Sequence, residues 1–293
     1  MLPDFLGIGS QRTASTWLYQ VLRQHPGLYL PDTKEIHFFD WKILRHDLAW
    51  YERHFAPAAE LPGKRLLGEI TPSYCTLSRS SVENIRALLP QVRPFIVLRN
   101  PVERSWSAAM YELGVDAHRS FERVPVGEVL RHLERPRSRK RSDYLHGVTI
   151  WRAVFGESAL HVSLFDDFKR DRNAFLASIL QHIGADAGWT PAPAAVAREV
   201  NASQHFEMPE MIGWYLSRQW LEPTQRLNEL LGGRVTPWVE EMRARSEGRI
   251  SWRLLRALNR GLYAAPYLAL YAPFAAWREQ RFQSRWRALG ART

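Results

Sequence analysis

Apolar positions in the first two thirds of the chain alternate between two spacings. Phe5-Leu6-Gly7-Ile8-Gly9 is a continuous apolar run of the length of a buried strand, and Trp17, Leu18, Val21 and Leu22 then repeat at helical spacing until Pro26-Gly27 stops them. Leu28-Tyr29-Leu30 predicts a short strand, and residues 42–56, carrying Leu48, Trp50, Tyr51 and Phe55, predict a helix. A second strand is expected over 64–70, halted by Pro72, which has no N–H for a ladder. Val82, Ile85 and Leu88 mark a helix over 80–89, and Pro94-Phe95-Ile96-Val97-Leu98 reads as a fully buried strand. Asn100 then caps a helix with Pro101 at its first position and Glu103 three residues beyond the cap. Further helices are expected over 144–155 and 172–183, with a strand over 160–165 between them. Residues 188–195 read as a Pro- and Ala-rich loop, and 210–232 and 236–245 as helices. Residues 114–141, with Gly114, Pro125, Gly127 and the run Arg135-Pro136-Arg137-Ser138-Arg139-Lys140-Arg141, read as a mobile insertion. Strand and helix alternating from residue 5 to about 184 predict an α/β fold with a parallel central sheet flanked by helices.

Composition sharpens this picture at one end. The chain has 293 residues, 45% of them hydrophobic, with twelve tryptophans and a single cysteine, Cys75, so an intrachain disulfide is excluded. The net charge is +10, but residues 251–293 hold eight arginines against Glu279 alone, which is +7 of that total. The division expected is a main domain over 1–248 and a basic, aromatic, helical extension over 249–293. No apolar run is long enough to span a bilayer, and no signal peptide is expected ahead of residue 10. No zinc spacing or aromatic RNA-binding pattern points to nucleic acid. A cytoplasmic location is expected. Gly261 to Trp277 is uncharged and flanked by arginines and tryptophans, which suits either peripheral contact with the inner face of an anionic membrane or helices packed on the domain.

Three stretches carry candidate chemistry. Ser10-Gln11-Arg12-Thr13-Ala14-Ser15-Thr16 joins the first strand to the first helix. The unpartnered N–H groups and positive dipole end of that helix, with four hydroxyls and one cation, make an anion cradle; an ordinary capped turn has the same pattern. The loop lacks the Gly-Lys-Ser/Thr of a Mg-nucleoside triphosphate site but suits a phosphate or sulfate ester. In Lys34-Glu35-Ile36-His37-Phe38-Phe39-Asp40, an extended backbone would place Glu35 and His37 on one face, either as an acid–base pair or as solvated charge beside core aromatics. Arg99 sits at the C-terminal end of a central strand, where open α/β sheets bind ligands, and Ser107 lies two turns into the next helix.

In this order the stretches resemble the nucleotide-binding signature of sulfotransferases that use 3′-phosphoadenosine 5′-phosphosulfate (PAPS). Residues 9–16 are similar to the 5′-phosphosulfate loop, and Val97-Leu98-Arg99-Asn100-Pro101 with Ser107 to the 3′-phosphate motif. Residues 34–40 resemble the catalytic-glutamate segment of the heparan-sulfate-type enzymes. Gly68-Glu69-Ile70-Thr71-Pro72-Ser73-Tyr74, and Ser142-Asp143-Tyr144 with Trp151, also fit that branch. The resemblance covers roughly residues 4–185. Arg12 stands where the family usually has Lys, Thr13-Ala14 where it has Gly or Ser-Gly, and Ile70 where the branch often has Lys. No Lys-Gly-Arg loop follows residue 185, so adenine contacts do not carry over, and residues 200–207 in that region receive no role.

The resemblance implies a P-loop-like fold and a sulfotransferase that moves the sulfuryl group of PAPS to a hydroxyl of a carbohydrate, glycolipid or small metabolite, leaving adenosine 3′,5′-bisphosphate. It implies Glu35 as general base, with His37 the alternative base or an orienting group, and Arg12 on the leaving phosphate. Arg12, Thr13, Ala14, Ser15, Thr16, Trp17, Arg99, Ser107 and Tyr144 are the implied nucleotide contacts, and no metal is required. A P-loop-type kinase would share the architecture. A non-catalytic membrane-surface binding protein retaining the fold would rest on the basic C-terminus.

Overall fold

The structure is a computed structural model that describes residues 1–63, 65–192, 206–247 and 266–290. Its described residues fall into two compact units: Met1–Arg99 with Gly147–Asn201 and Ala275–Thr293, and Asn100–His146 with Ala202–Phe274.

The first unit is built on a parallel five-stranded sheet of order β2-β3-β1-β4-β5. Its strands are β1 (Phe5–Gly9), β2 (Leu28–Tyr29), β3 (Leu66–Ile70), β4 (Arg93–Leu98) and β5 (His161–Leu164). Strand β1 is buried along its whole length because it lies between β3 and β4, which explains its unbroken apolar run. The connection from β3 to β4 crosses over β1, so the sheet order changes direction around β1. The C-terminal ends of β1 and β4 are therefore where an open α/β sheet binds its ligand. Beside β4, Gly7 faces Phe95 and Gly9 faces Ile96, so Ile8 is an extra residue that re-aims the strand as it enters the next loop. Helices α1 (Ser15–Leu22) and α2 (Arg172–Ile183) bury Trp17, Leu18, Phe175, Ile179 and Leu180 in one cluster with Phe5, Phe95 and Val97. Asp171 caps α2 by accepting from the N–H groups of Asn173 and Ala174, and Gly184 ends it at φ +81°.

Close approach fixes one joint in this unit. A β-carbon on Gly9 would lie 2.8 Å from the Cys75 sulfur, and one on Gly147 would lie 2.5 Å from the Cys75 carbonyl oxygen. The short 3₁₀ turn Pro72–Thr76 is thereby held against the end of β1 on one side and the helix Tyr144–Phe155 on the other.

The expected helix over 42–56 is broken into a 3₁₀ turn, Lys42–Leu44, the helix Leu48–Arg53 and a second 3₁₀ stretch, Ala56–Glu60. Asp47 starts the middle piece by accepting from the Trp50 N–H, a cap that interrupts the longer reading. In the second unit, 114–141 is not a loop. It contains helices Val126–Leu133 and Pro136–Ser142. The charge run lies on the second of these, and Arg141 is buried by pairing with Glu112 at 2.9 Å. The long helix Glu210–Leu230 and the helix Thr236–Ser246 are joined by a turn in which Gly232 and Gly233 take φ +62° and +85°. Asn228 brackets that turn through Val235 N and Thr236 Oγ1.

Of the extension, residues 249–265 lie outside the described ones. Residues 266–290 form one helix, through Pro273, rather than a segment interrupted by its prolines. Within the first unit Phe282 and Trp286 are buried, and Trp277 is exposed. Among the described residues no helix is long and apolar enough to cross a membrane.

Replacing Gly147 by alanine is expected to lower stability by about 1–3 kcal/mol, because a methyl group must displace backbone rather than a side-chain tip. Urea denaturation of the variant beside the parent measures this, and an unchanged midpoint would show that the joint yields.

Candidate active site

The loop after β1 is fastened before it turns. Ser10 donates to the Val97 carbonyl from both its N–H (2.9 Å) and its hydroxyl (3.1 Å), which ties the loop to β4. Thr13 is buried and its hydroxyl donates to the Ser10 carbonyl at 2.6 Å, leaving its main-chain N–H as what it offers a ligand. Arg12 and Ala14 both take left-handed backbone, at φ 65° and 61°. Alternation of hand over a few residues makes successive N–H groups converge on one point, the geometry of an anion nest. Ala14 is the residue before α1, so the nest leads directly into the dipole end of that helix. The Trp17 side chain is in the core, edge-on to Phe168 at 4.9 Å.

Arg99, at the end of β4, donates to the Arg12 carbonyl at 3.4 Å, and its guanidinium lies over the Phe165 ring at 4.8 Å. The structure thus brings together the first-loop residues and Arg99, two cations at the switch point of the sheet. Ser107 and Tyr144 belong to the second unit, where both side chains are buried.

The second cluster lies in residues 34–40. Glu35 and His37 do meet, but not through the extended backbone that alternation predicts: both take left-handed φ, 59° each. Ile36 and Phe38 between and beyond them are fully buried, and the two left-handed residues turn the polar side chains toward each other while those apolar side chains anchor the segment. His37 Nε2 is 3.5 Å from the Glu35 carboxylate, and Lys34 hydrogen-bonds the other Glu35 oxygen. His37 Nδ1 is 2.8 Å from Asp40 Oδ2, which also accepts from the Ser73 hydroxyl at 2.6 Å. Burial works to raise the Glu35 carboxyl, but His37 and Lys34 outweigh it and hold it at about 2. Burial works against the His37 charge, but Asp40 and Glu35 overcome it and raise the imidazole to about 9. At neutral pH the set is therefore an ionised carboxylate against an imidazolium whose second nitrogen is held by Asp40.

Beneath this cluster Glu69, on β3, is fully buried. Its carboxylate accepts from the hydroxyls of Tyr51 (2.5 Å), Thr71 (2.7 Å) and Tyr74 (3.0 Å). Burial lifts its pKa and the three hydroxyls pull it back. Thr71 and Tyr74 in turn accept from the N–H groups of His37 (3.5 Å) and Phe39 (3.4 Å). Sequence reasoning left Asp40, Ser73 and Glu69 without roles, although all three stood in the stretches quoted for the resemblance. The signal for Glu69 was a carboxylate inside the strand expected over 64–70, and for Ser73 a hydroxyl just past the Pro72 that halts it. The Pro72–Thr76 turn links the two clusters: Cys75 abuts Gly9 at the mouth of the anion loop, while Ser73 bonds Asp40. Among the described residues no group of His, Cys, Asp and Glu side chains is disposed to hold a metal ion.

No protein-family model matches the chain. Over 132 residues, 45% of its length, it is 29% identical to the Membrane-associated sulfotransferase kil1 of Dictyostelium discoideum, 27% of which is covered. Over 105 residues, 36% of its length, it is 35% identical to the Heparan sulfate glucosamine 3-O-sulfotransferase 6 of Homo sapiens, 29% of which is covered. The crystal structure of a sulfotransferase from Alicyclobacillus acidocaldarius is 22% identical and matches with a TM-score of 0.66 over 81% of this chain and 99% of that one. The chain has a sulfotransferase fold. The resemblance to sulfotransferases seen in the motifs is met in both the sequence relatives and the fold, with the parallel sheet flanked by helices that it implied. The chain spans less than a third of the length of the curated sulfotransferases it matches.

The His37 shift gives a signed pH dependence. A histidine with a folded pKa above its unfolded value of 6.5 contributes stability that is complete below pH 6.5 and is lost as pH rises through about 9. Thermal melts between pH 6 and 9.5 should show this decline, and Asp40→Asn should flatten it. A slope unchanged by Asp40→Asn would assign the decline to other groups.

Proposed function

We propose that this protein is a PAPS-dependent sulfotransferase that moves a sulfuryl group to an acceptor hydroxyl, with Glu35 as general base. The observation that carries the reading is the Glu35–His37–Asp40 set held by one short turn beside a left-handed anion loop at the switch point of the sheet. The residues fit the donor. The Arg12–Ala14 nest and the start of α1 suit a 5′-phosphate, and Arg99 suits the 3′-phosphate. PAPS supplies an activated sulfuryl group on a phosphate leaving group. Arg12 and the main-chain N–H groups of Thr13 to Trp17 counter the negative charge that builds on that phosphate.

Glu35 takes the proton of the acceptor hydroxyl. A carboxylate near pKa 2 is a weak base, but transfer of this kind passes through a loose arrangement in which the acceptor oxygen becomes acidic only as its new bond forms. Weak basicity then suffices, provided the carboxylate is ionised and placed, which Lys34 and His37 secure. His37 is less suited as the base at neutral pH because it already holds its proton. A sugar hydroxyl is the acceptor favoured by the name of the human relative, which specifies a glucosamine of heparan sulfate.

Glu35→Gln is expected to leave binding of adenosine 3′,5′-bisphosphate nearly intact and to cut turnover by roughly a hundredfold or more, the scale of a lost general base. Turnover near the parent value with a competent acceptor would remove Glu35 from that role. Arg99→Ala should weaken binding of adenosine 3′,5′-bisphosphate far more than that of adenosine 5′-phosphate, since only the first offers a 3′-phosphate for a charge-assisted bond. Equal losses in calorimetry would move Arg99 away from that group.

A further inference from the structure

The helix Pro266–Gly290 presents one face to the segment that carries Glu35, His37 and Asp40. Arg278 Nη2 donates to the Asp40 carbonyl at 2.7 Å. Arg285 Nε donates to the Ile43 carbonyl at 2.9 Å, and its Nη2 reaches the His46 carbonyl at 3.4 Å. Trp286 is buried and lies parallel to Phe39, with centroids 5.8 Å apart and 9° between planes. Phe282, one turn earlier on the same face, is also buried. Glu279 and Gln283 secure the helix on its flank: the Glu279 carboxylate accepts from the hydroxyls of Ser78 (2.9 Å) and Ser80 (3.0 Å), and Gln283 donates to Ser80 at 2.6 Å.

The choice of acceptors is informative. Residues 37–46 are a chain of single turns, not a helix. The carbonyls of His37, Phe38, Trp41 and Lys42 accept main-chain N–H groups from within it. Those of Asp40, Ile43 and His46 accept from the two arginines. A helix of several turns would satisfy its own carbonyls except the last four, whereas isolated turns expose theirs all along. The planar, multi-donor guanidinium is the side chain suited to capping such oxygens from outside. Asp40 is the residue whose carboxylate holds His37 Nδ1, so the bond from Arg278 acts on the backbone of the group that sets the imidazole.

We propose that the C-terminal helix is part of the catalytic apparatus, with Arg278, Arg285 and Trp286 acting as positioning residues that hold the Glu35–His37–Asp40 segment in register. This rests on the sulfotransferase reading only for its effect on turnover. Loss of the grip lets the Asp40 main chain shift, which loosens the carboxylate from His37 Nδ1 and, through the imidazolium, from Glu35.

The test compares the double variant Arg278→Ala/Arg285→Ala, the conservative Arg278→Lys/Arg285→Lys and the control Arg281→Ala with the full-length parent. Arg281 is exposed and stacks over Trp277 at 5.1 Å. Three readouts are taken: turnover, calorimetric affinity for adenosine 3′,5′-bisphosphate, and the His37 titration by nitrogen-15 NMR, assigned with His37→Gln. The groups facing that imidazole are Glu35, Asp40 and the Ser73 hydroxyl, all left in place. The alanine pair is expected to lose roughly tenfold or more in turnover, as a small misplacement of reacting groups costs. It should keep nucleotide affinity within about twofold, a range too small to count as a lost charged contact, and titrate His37 nearer its ordinary value. The lysine pair should recover most of both losses, and Arg281→Ala should match the parent. A His37 titration and turnover unchanged in the alanine pair would overturn the proposal, whatever happens to its melting temperature. Equal losses in the lysine pair would also overturn it. If the parent transfers no sulfuryl group, the NMR comparison still decides the positioning claim, and only the reading of the reaction fails.

Discussion

One buried carboxylate organises this site. Glu69 sits inside β3, hydrogen-bonded among the described residues by hydroxyls rather than by a cation, and a charge so placed is tolerated only when its lone pairs are filled. Three hydroxyls fill them, and each belongs to a residue that also touches the segment carrying Glu35, His37 and Asp40. Thr71 and Tyr74 receive its main-chain N–H groups, and Tyr51 stacks on Phe38 with centroids 4.6 Å apart and 12° between planes. The sheet, the 72–76 turn and the segment 37–39 thus share one polar knot. Partial loss of such a network is costlier than its bonds counted singly, because each remaining member is left buried and underbonded. That cost is a physical reason for the segment to hold a backbone its residues would not otherwise adopt, with left-handed φ at both Glu35 and His37.

The two halves of the site differ in how they were readable. The anion loop was legible because its physics is local: an apolar run, a string of small residues and hydroxyls, and a helix start lie within a dozen positions. The same holds for the strand ending at Arg99 and the cap at Asn100. The helical content of 114–141 was hidden because Arg137 to Arg141 looks like a solvated run, while Arg141 is in fact buried by a partner 29 residues earlier. The pairing of Glu35 with His37 was anticipated from spacing, but through an extended backbone. The left-handed one is imposed by Ile36, Phe38 and the Glu69 knot, which no window of a few residues contains. Nor does any local pattern foretell that Arg278 and Trp286 meet Asp40 and Phe39, more than two hundred positions away.

Electrostatically the halves are complementary. The loop end gathers positive charge from Arg12, Arg99 and the start of α1, where the donor's phosphates would lie. The 34–40 segment balances Lys34 and His37 against Glu35 and Asp40, so it carries an ionised Glu35 carboxylate without adding strong net negative charge. A lone carboxylate at that place would repel an anionic ligand in the loop; one paired with an imidazolium would do so much less.

The turn that joins the halves contains the chain's single cysteine. Its sulfur is buried, donates to the Pro72 carbonyl at 3.2 Å and is crowded by Gly9, with Gly147 against its backbone. Burial shields that thiol from reagents while the turn is seated. With one thiol in the whole chain, the rate of its modification under native conditions reports a single event, the unseating of the joint between the loop after β1 and the segment 34–40. The protein carries its own clock for that event, with no label to introduce and no second signal to subtract.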